Sequence, residues 1–282
     1  MTTIHFAHAN GFPMGSYRVM LSRLAESFDL QGISHIGHDE RWPVDQNWDA
    51  LVDEQLNMIH QCSEPVWGVG HSLGGVLLYR AALKAPGYFK GLILLDPPLY
   101  ISGLRPWLLK LAKRTGKIDI VTPARQSRRR KSRWSDRQAV FDYLISRKLF
   151  ADFDERCLWD YIDHATDKVP VSGEYRLNFM PEVEYEIFCN LADNLWNTGS
   201  KIKPSVTVVT SRHASVIHKA GIRGIRQAGL NWQETDGGHL FPLEYPESTA
   251  DMIQSMINSF TNGSDGGKVC MTQSRSKLNS IM

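Results

Sequence analysis

The residues best equipped for chemistry lie in Gly70-His71-Ser72-Leu73-Gly74. A serine flanked by glycines two positions away on either side is common by chance, so its setting decides its meaning. The apolar run Val66–Val69 precedes it and an amphipathic stretch from Leu73 follows, which places Ser72 on a tight strand-to-helix turn. Such a turn strains the backbone of its central residue, and the glycines let neighbouring backbone pass close by. The hydroxyl then stands at the carboxyl edge of a sheet, where open α/β folds hold ligands. The next helix points its N-terminal N–H groups at the same spot, which favours developing negative charge. Ser72 is the candidate nucleophile.

A serine hydroxyl needs a base to take its proton. Of the ten histidines, His35 and His38 lie in a polar loop, and His60 and His164 lie in helical patterns. His239 differs, because it sits in Asp236-Gly237-Gly238-His239-Leu240-Phe241-Pro242 between the last strand pattern and a final helix. The two glycines let the chain turn the imidazole back toward Ser72. His239 is the candidate base.

The elements that must position these groups follow an alternating rhythm. Strands are predicted at Ile4–Ala7, Leu30–Ile33, Val66–Val69, Leu92–Leu95, Val206–Val209 and Trp232–Glu234, with helices at Tyr17–Glu26, Trp48–Gln61 and Leu73–Ala85. In Trp48–Gln61, the apolar residues Trp48, Leu51, Val52, Leu56 and Ile59 recur at three- and four-residue steps, one buried stripe. Short apolar strands alternating with amphipathic helices predict an α/β fold with a mostly parallel, doubly wound sheet. From Pro97 to Lys203 the rhythm stops, strand signals fade, and helical patterns such as Ala139–Lys148 and Leu158–His164 take over. The expected division is a core of residues 1–96 and 204–260, a helical insertion at 97–203, and a loose Ser-, Gly- and Asn-rich tail at 261–282.

The bulk composition is that of an ordinary globular chain of 282 residues, with 42% hydrophobic and 22% charged residues. A net charge of +2 gives no global reason to expect nucleic acid. No apolar run reaches the ~18 residues of a membrane span, and the first residues lack a secretory pattern. Cys62, Cys157, Cys189 and Cys270 are scattered without a paired spacing, which argues against zinc and against a disulfide framework. The default expectation is a cytoplasmic protein that is not transmembrane. His35-x2-His38 lacks companions for a metal, and no dinucleotide or Walker-type glycine loop is present, so no cofactor and no metal are expected. One segment is locally extreme: Arg105 to Arg133 holds eleven Lys/Arg against the single acid Asp119, a net +10, which leaves −8 for the rest. Its plain reading is a solvated helix and loop. The sharper one joins it to the apolar face of Leu104, Trp107, Leu108 and Leu111, as a surface for anionic lipid, an acidic carrier protein or a phosphorylated substrate.

Motifs and their order over residues 3 to 260 resemble the α/β-hydrolase family, with its serine nucleophile. The resemblance implies a helical cap between the sixth and seventh family strands, matching 97–203. It also implies that the first two family strands are missing, since the chain begins at the third. His8-Ala9-Asn10-Gly11-Phe12-Pro13 resembles the family's oxyanion loop. One register makes Phe12 the backbone N–H donor and the other makes Asn10 the donor; the first places Gly11 and Pro13 both on family positions. Leu73 is the implied second donor. The family most often places its acid after the seventh strand, but no Asp or Glu occurs from Pro204 to Gln233, and Ser215 stands where the acid is expected. The substitute is Asp96, after the sixth strand in Leu94-Leu95-Asp96-Pro97-Pro98. Glu234 or Asp236, or a dyad without acid, are the alternatives.

The resemblance implies a carboxylesterase or acyl-thioesterase acting through an acyl-enzyme on a small-molecule ester or thioester. Aromatic residues of the insertion (Trp107, Phe141, Phe150, Trp159, Phe179, Phe188, Trp196) favour an apolar acyl or aromatic substrate. A carbon–carbon bond hydrolase or lyase on the same triad, and a catalytically silent binding protein, are the other readings.

Overall fold

The computed structural model describes residues 1–217 and 219–263. In chain order the core begins with β1 (Thr3–Ala7), α1 (Arg18–Ala25), β2 (Asp29–Gly32), α2 (Asp49–Ile59), β3 (Val66–His71), α3 (Leu73–Lys84) and β4 (Phe89–Leu95). It resumes with β8 (Ser205–Ser211), α10 (Lys219–Gln227), β9 (Asn231–Thr235), α11 (Phe241–Glu244) and α12 (Pro246–Gly263). All pairings are parallel and the strand order is β2-β1-β3-β4-β8-β9. This is the predicted α/β sheet.

The sequence of β4 shows why the sheet is covered on both faces. Leu92 and Leu94 enter one apolar cluster with Leu77 of α3 and Leu51 of α2. Ile93 and Leu95 enter the other with Met20 and Leu24 of α1 and Ile253 of α12. From Leu92 to Leu95 every position of β4 is apolar, and such a run needs cover on both sides because its side chains alternate.

Between β4 and β8 the chain leaves the sheet through α4 (Arg105–Arg114), α5 (Ile118–Val121), α6 (Ala124–Arg128), β5 (Arg133–Trp134), α7 (Arg137–Ile145), α8 (Glu155–Ala165), β6 (Thr166–Lys168), β7 (Tyr175–Leu177) and α9 (Pro181–Cys189). Beside its helices the insertion holds strands for which the sequence carried no strong signal. β5, β7 and β6 form a small antiparallel sheet, in strands of two or three residues that are too short to display an alternating pattern. The insertion is tied to the core by polar links: Arg18 pairs with Asp160, the Trp48 indole donates to the Ile187 carbonyl, and Met180 N–H donates to His38 Nε2. The other loop histidine also faces the insertion, with His35 Nε2 at 3.2 Å from Asn178 Oδ1. The expected tail also shifts, since α12 runs on to Gly263; residues 264–282, including Cys270, lie outside the described residues.

Candidate active site

β3 delivers Ser72 at the sheet's carboxyl edge. Its N–H donates to the Leu95 carbonyl of β4 at 2.9 Å, and its backbone takes φ 51° and ψ −113°. A side chain in that region costs about 1–3 kcal/mol and persists only where its surroundings over-determine it. Here α3 passes so close to β1 that a Cβ on Gly74 would lie 2.0 Å from the Ala7 carbonyl oxygen, and one on Gly70 would lie 2.6 Å from Gly74 and Gly75 backbone. The glycines of the motif are thus required by close approach.

His239 reaches back over this edge. Its Nε2 lies 3.1 Å from Ser72 Oγ, and its Nδ1 lies 2.6 Å from Asp96 Oδ2. With the Nδ1 proton donated to the carboxylate, Nε2 is left to accept from the serine hydroxyl. Asp96 is fully buried, directly follows β4 and has φ 42°. Its carboxylate also accepts from Ser215 Oγ at 2.5 Å, Val216 N–H at 3.1 Å and Ser211 N–H at 3.4 Å. Four donors on one buried carboxylate offset the cost of taking it out of water. Asp236 instead pairs with the Arg212 guanidinium.

A second chain of hydrogen bonds ties the surrounding loops together. Ala9 N–H donates to the Tyr17 hydroxyl, which donates to His71 Nδ1 at 2.7 Å, and His71 Nε2–H donates to the His239 carbonyl at 2.9 Å. Burial holds His71 well below the usual imidazole range, so it is neutral and keeps one donor and one acceptor nitrogen. His8 is likewise neutral: its Nδ1–H donates to the Ala9 carbonyl and its Nε2 accepts from Ile36 N–H, with burial pushing its pKa to about 3.

The loop of residues 8–13 borders a cleft with Leu73, Phe179 and Glu184. Leu73 N–H is the first of α3 and has no intrahelical acceptor. Phe12 N–H donates to the Ala9 carbonyl at 3.1 Å, so an oxyanion would have to compete with that carbonyl for it. Asn10 turns its side-chain amide to the Glu184 carbonyl at 3.0 Å. Of the aromatic residues expected to favour apolar substrates, Phe179 lines this cleft; Phe150 packs on Phe12 in the neighbouring core, while Phe141 stacks on Trp159.

Sequence reading missed the polar cluster above this loop. Arg130 Nη1 binds Glu184 Oε2 at 2.8 Å, and Arg130 Nη2 donates to the Tyr161 hydroxyl at 2.7 Å. Gly11 lies directly beneath, with φ 75°, and a Cβ there would come within 2.8 Å of Glu184 Oε1 and 3.0 Å of Arg130 Nη1.

A sequence model of the alpha/beta hydrolase family matches residues 6–252. The chain belongs to that family. This α/β-hydrolase is similar in structure to E-2-(acetamidomethylene)succinate hydrolase, with a TM-score of 0.72 and 17% identity over 91% of each chain. It is also similar to the thioesterase domain of a curacin biosynthetic pathway, with a TM-score of 0.68 and 15% identity over 90% of each chain. An esterase from Mycobacterium tuberculosis gives a TM-score of 0.66 and 16% identity, over 92% of this chain and 84% of that one. At such identities the likeness is one of fold. A type I acyl-CoA thioesterase of Penicillium roqueforti is 31% identical over 113 residues, which span 34% of this chain and 26% of that protein.

Proposed function

We propose that this α/β-hydrolase is a serine esterase or thioesterase that works through an acyl-enzyme. The observation that carries the reading is the line of hydrogen bonds from Ser72 Oγ through His239 to Asp96, at 3.1 and 2.6 Å. As Ser72 Oγ attacks the carbonyl carbon, its proton passes to His239 Nε2, and the buried Asp96 carboxylate stabilises the imidazolium. The carbonyl oxygen becomes an oxyanion, held by Leu73 N–H and one N–H of the 8–13 loop, at Phe12 or Asn10. Each such donor is worth about 3 kcal/mol in the transition state. His239 then gives its proton to the departing alkoxide or thiolate. Water, deprotonated by the same imidazole, cleaves the acyl-serine and restores the hydroxyl.

The insertion acts as a cap, with residues 1–96 and 204–260 as the core. An apolar acyl or aromatic group rests against Phe12 and Phe179 at the cleft. The thioesterases and esterase among the similar proteins support ester or thioester cleavage.

A fluorophosphonate probe tests the nucleophile: the wild type becomes labelled and Ser72→Ala does not. Equal labelling of the two would overturn the assignment. Nitrophenyl esters and acyl thioesters of graded chain length, run beside a vinylogous diketone, test the reaction class; turnover of the diketone alone would mean carbon–carbon bond cleavage.

A further inference from the structure

We propose that α4 and α5 form a docking ridge for an anionic lipid surface. Leu104 is 77% exposed and Trp107 59%, and Leu108, Leu111, Ile120 and Val121 are each more than half exposed. The first four recur at helical i, i+3, i+4 and i+7 steps, so they share one face of α4. The opposite face, Pro106, Leu109 and Ala112, is already buried. The helix is therefore apolar on two sides, and the fold covers one of them.

The charge around the open face selects its occupant. Lys110, Arg114 and Lys117 are exposed on α4 and the turn after it, and Arg128, Arg129, Lys131 and Arg133 follow, also exposed. Lys110 Nζ sits over the Trp107 ring at 6.0 Å, a cation beside an indole at the head of the ridge. Aliphatic and indole side chains with cations on the same helix and the turn after it match a bilayer interface, where apolar groups enter the acyl boundary and cations meet lipid phosphates. The apolar side chains project outward, which suits a fluid phase that closes around them. A folded acidic partner would offer counter-charge but would need its own apolar recess for them.

The test uses the full chain and sedimentation with phosphatidylcholine vesicles, with or without phosphatidylglycerol. Binding is expected only to the phosphatidylglycerol vesicles, weakening as salt is added. Lys110→Glu with Arg114→Glu, and separately Trp107→Ser with Leu108→Ser, should each lower the bound fraction by about tenfold or more while thermal unfolding stays unchanged. Four results would overturn the proposal: no binding to anionic vesicles at low salt, binding indifferent to the apolar pair, equally tight capture of soluble polyglutamate, or self-association without vesicles that the apolar pair abolishes.

Discussion

The hydroxyl of Ser215 donates to Asp96 Oδ1 across 2.5 Å, so the position where the family resemblance leads one to expect an acid holds a donor to Asp96. On the proposed reading, the carboxylate that orients His239 stands at the end of β4, and the segment after β8 supports it.

This arrangement predicts a ranked series. Asp96→Asn should lower kcat/KM by about 10⁴, because the amide cannot accept from His239 and Ser215 together with both correctly oriented. Ser215→Ala removes one of several donors and should cost about tenfold or less. Combining Asp96→Asn with Ser215→Asp should recover part of the lost rate, since a carboxylate then stands next to residue 96, where the family resemblance leads one to expect the acid. Steady-state kinetics on one ester decide the order. If Asp96→Asn stays within about threefold of wild type, the role of Asp96 is wrong.

Tyr17→Phe deletes the hydroxyl that links Ala9 N–H to His71 Nδ1. Two buried polar groups lose a partner, so chemical denaturation should show a loss of about 1–3 kcal/mol. The same bridge joins the 8–13 loop to the carbonyl of His239 through His71, so kcat should fall more than KM rises.

Stability should depend on pH through two opposed sets of groups. Burial lowers His5 to about 4 and His8 to about 3 from an ordinary 6.5, and lowers His71 as well. Their contribution is complete above pH 6.5 and is lost as pH falls toward those folded values, because only the unfolded chain takes up the protons. Glu54 has the opposite sign: burial raises it from 4.5 to about 7, so its contribution is complete below pH 4.5 and is lost as pH rises to 7. Among these four groups, the unfolded chain takes up protons at three histidines between these limits while the folded one holds one at Glu54, so together they make acidification destabilising. Glu54→Gln should leave the melting temperature unchanged below pH 4.5 and raise it above pH 7. Thermal melts across pH measure both.

Breaking the Arg130–Glu184 pair on one side should cost about 3–5 kcal/mol, as in Glu184→Gln or Arg130→Met alone, because the other group stays buried without its counter-charge. Replacing both by methionine should cost less than either single change. Urea unfolding of the three variants separates the pair's worth from the penalty of orphaning one member.

The middle of the sheet was legible because β1, β3, β4 and β8 are mostly buried and read as apolar runs, whereas the edge strands β2 and β9 are partly exposed and carry a weaker signal. β3 extends to His71, beyond the apolar run at Val66–Val69, because Gly70 and His71 pair with Leu94 and Leu95. The short strands of the insertion were not legible, since Arg133–Trp134 and Tyr175–Leu177 gain their conformation from each other. At the site, Ser72 and His239 each carry a local glycine signature. Asp96 required the family resemblance and the absence of an acid after β8. Arg130 and Glu184 carried no signal: they lie 54 residues apart, and Arg130 is one of three consecutive arginines.

Gly11 meets Glu184 and Arg130 without room for a methyl group between them, so the insertion presses directly on the loop to which the proposed mechanism assigns an oxyanion donor. On that reading, a substitution at Arg130 or Glu184 would be felt by the loop below it, and a change made in the insertion would have to be matched by one in the core.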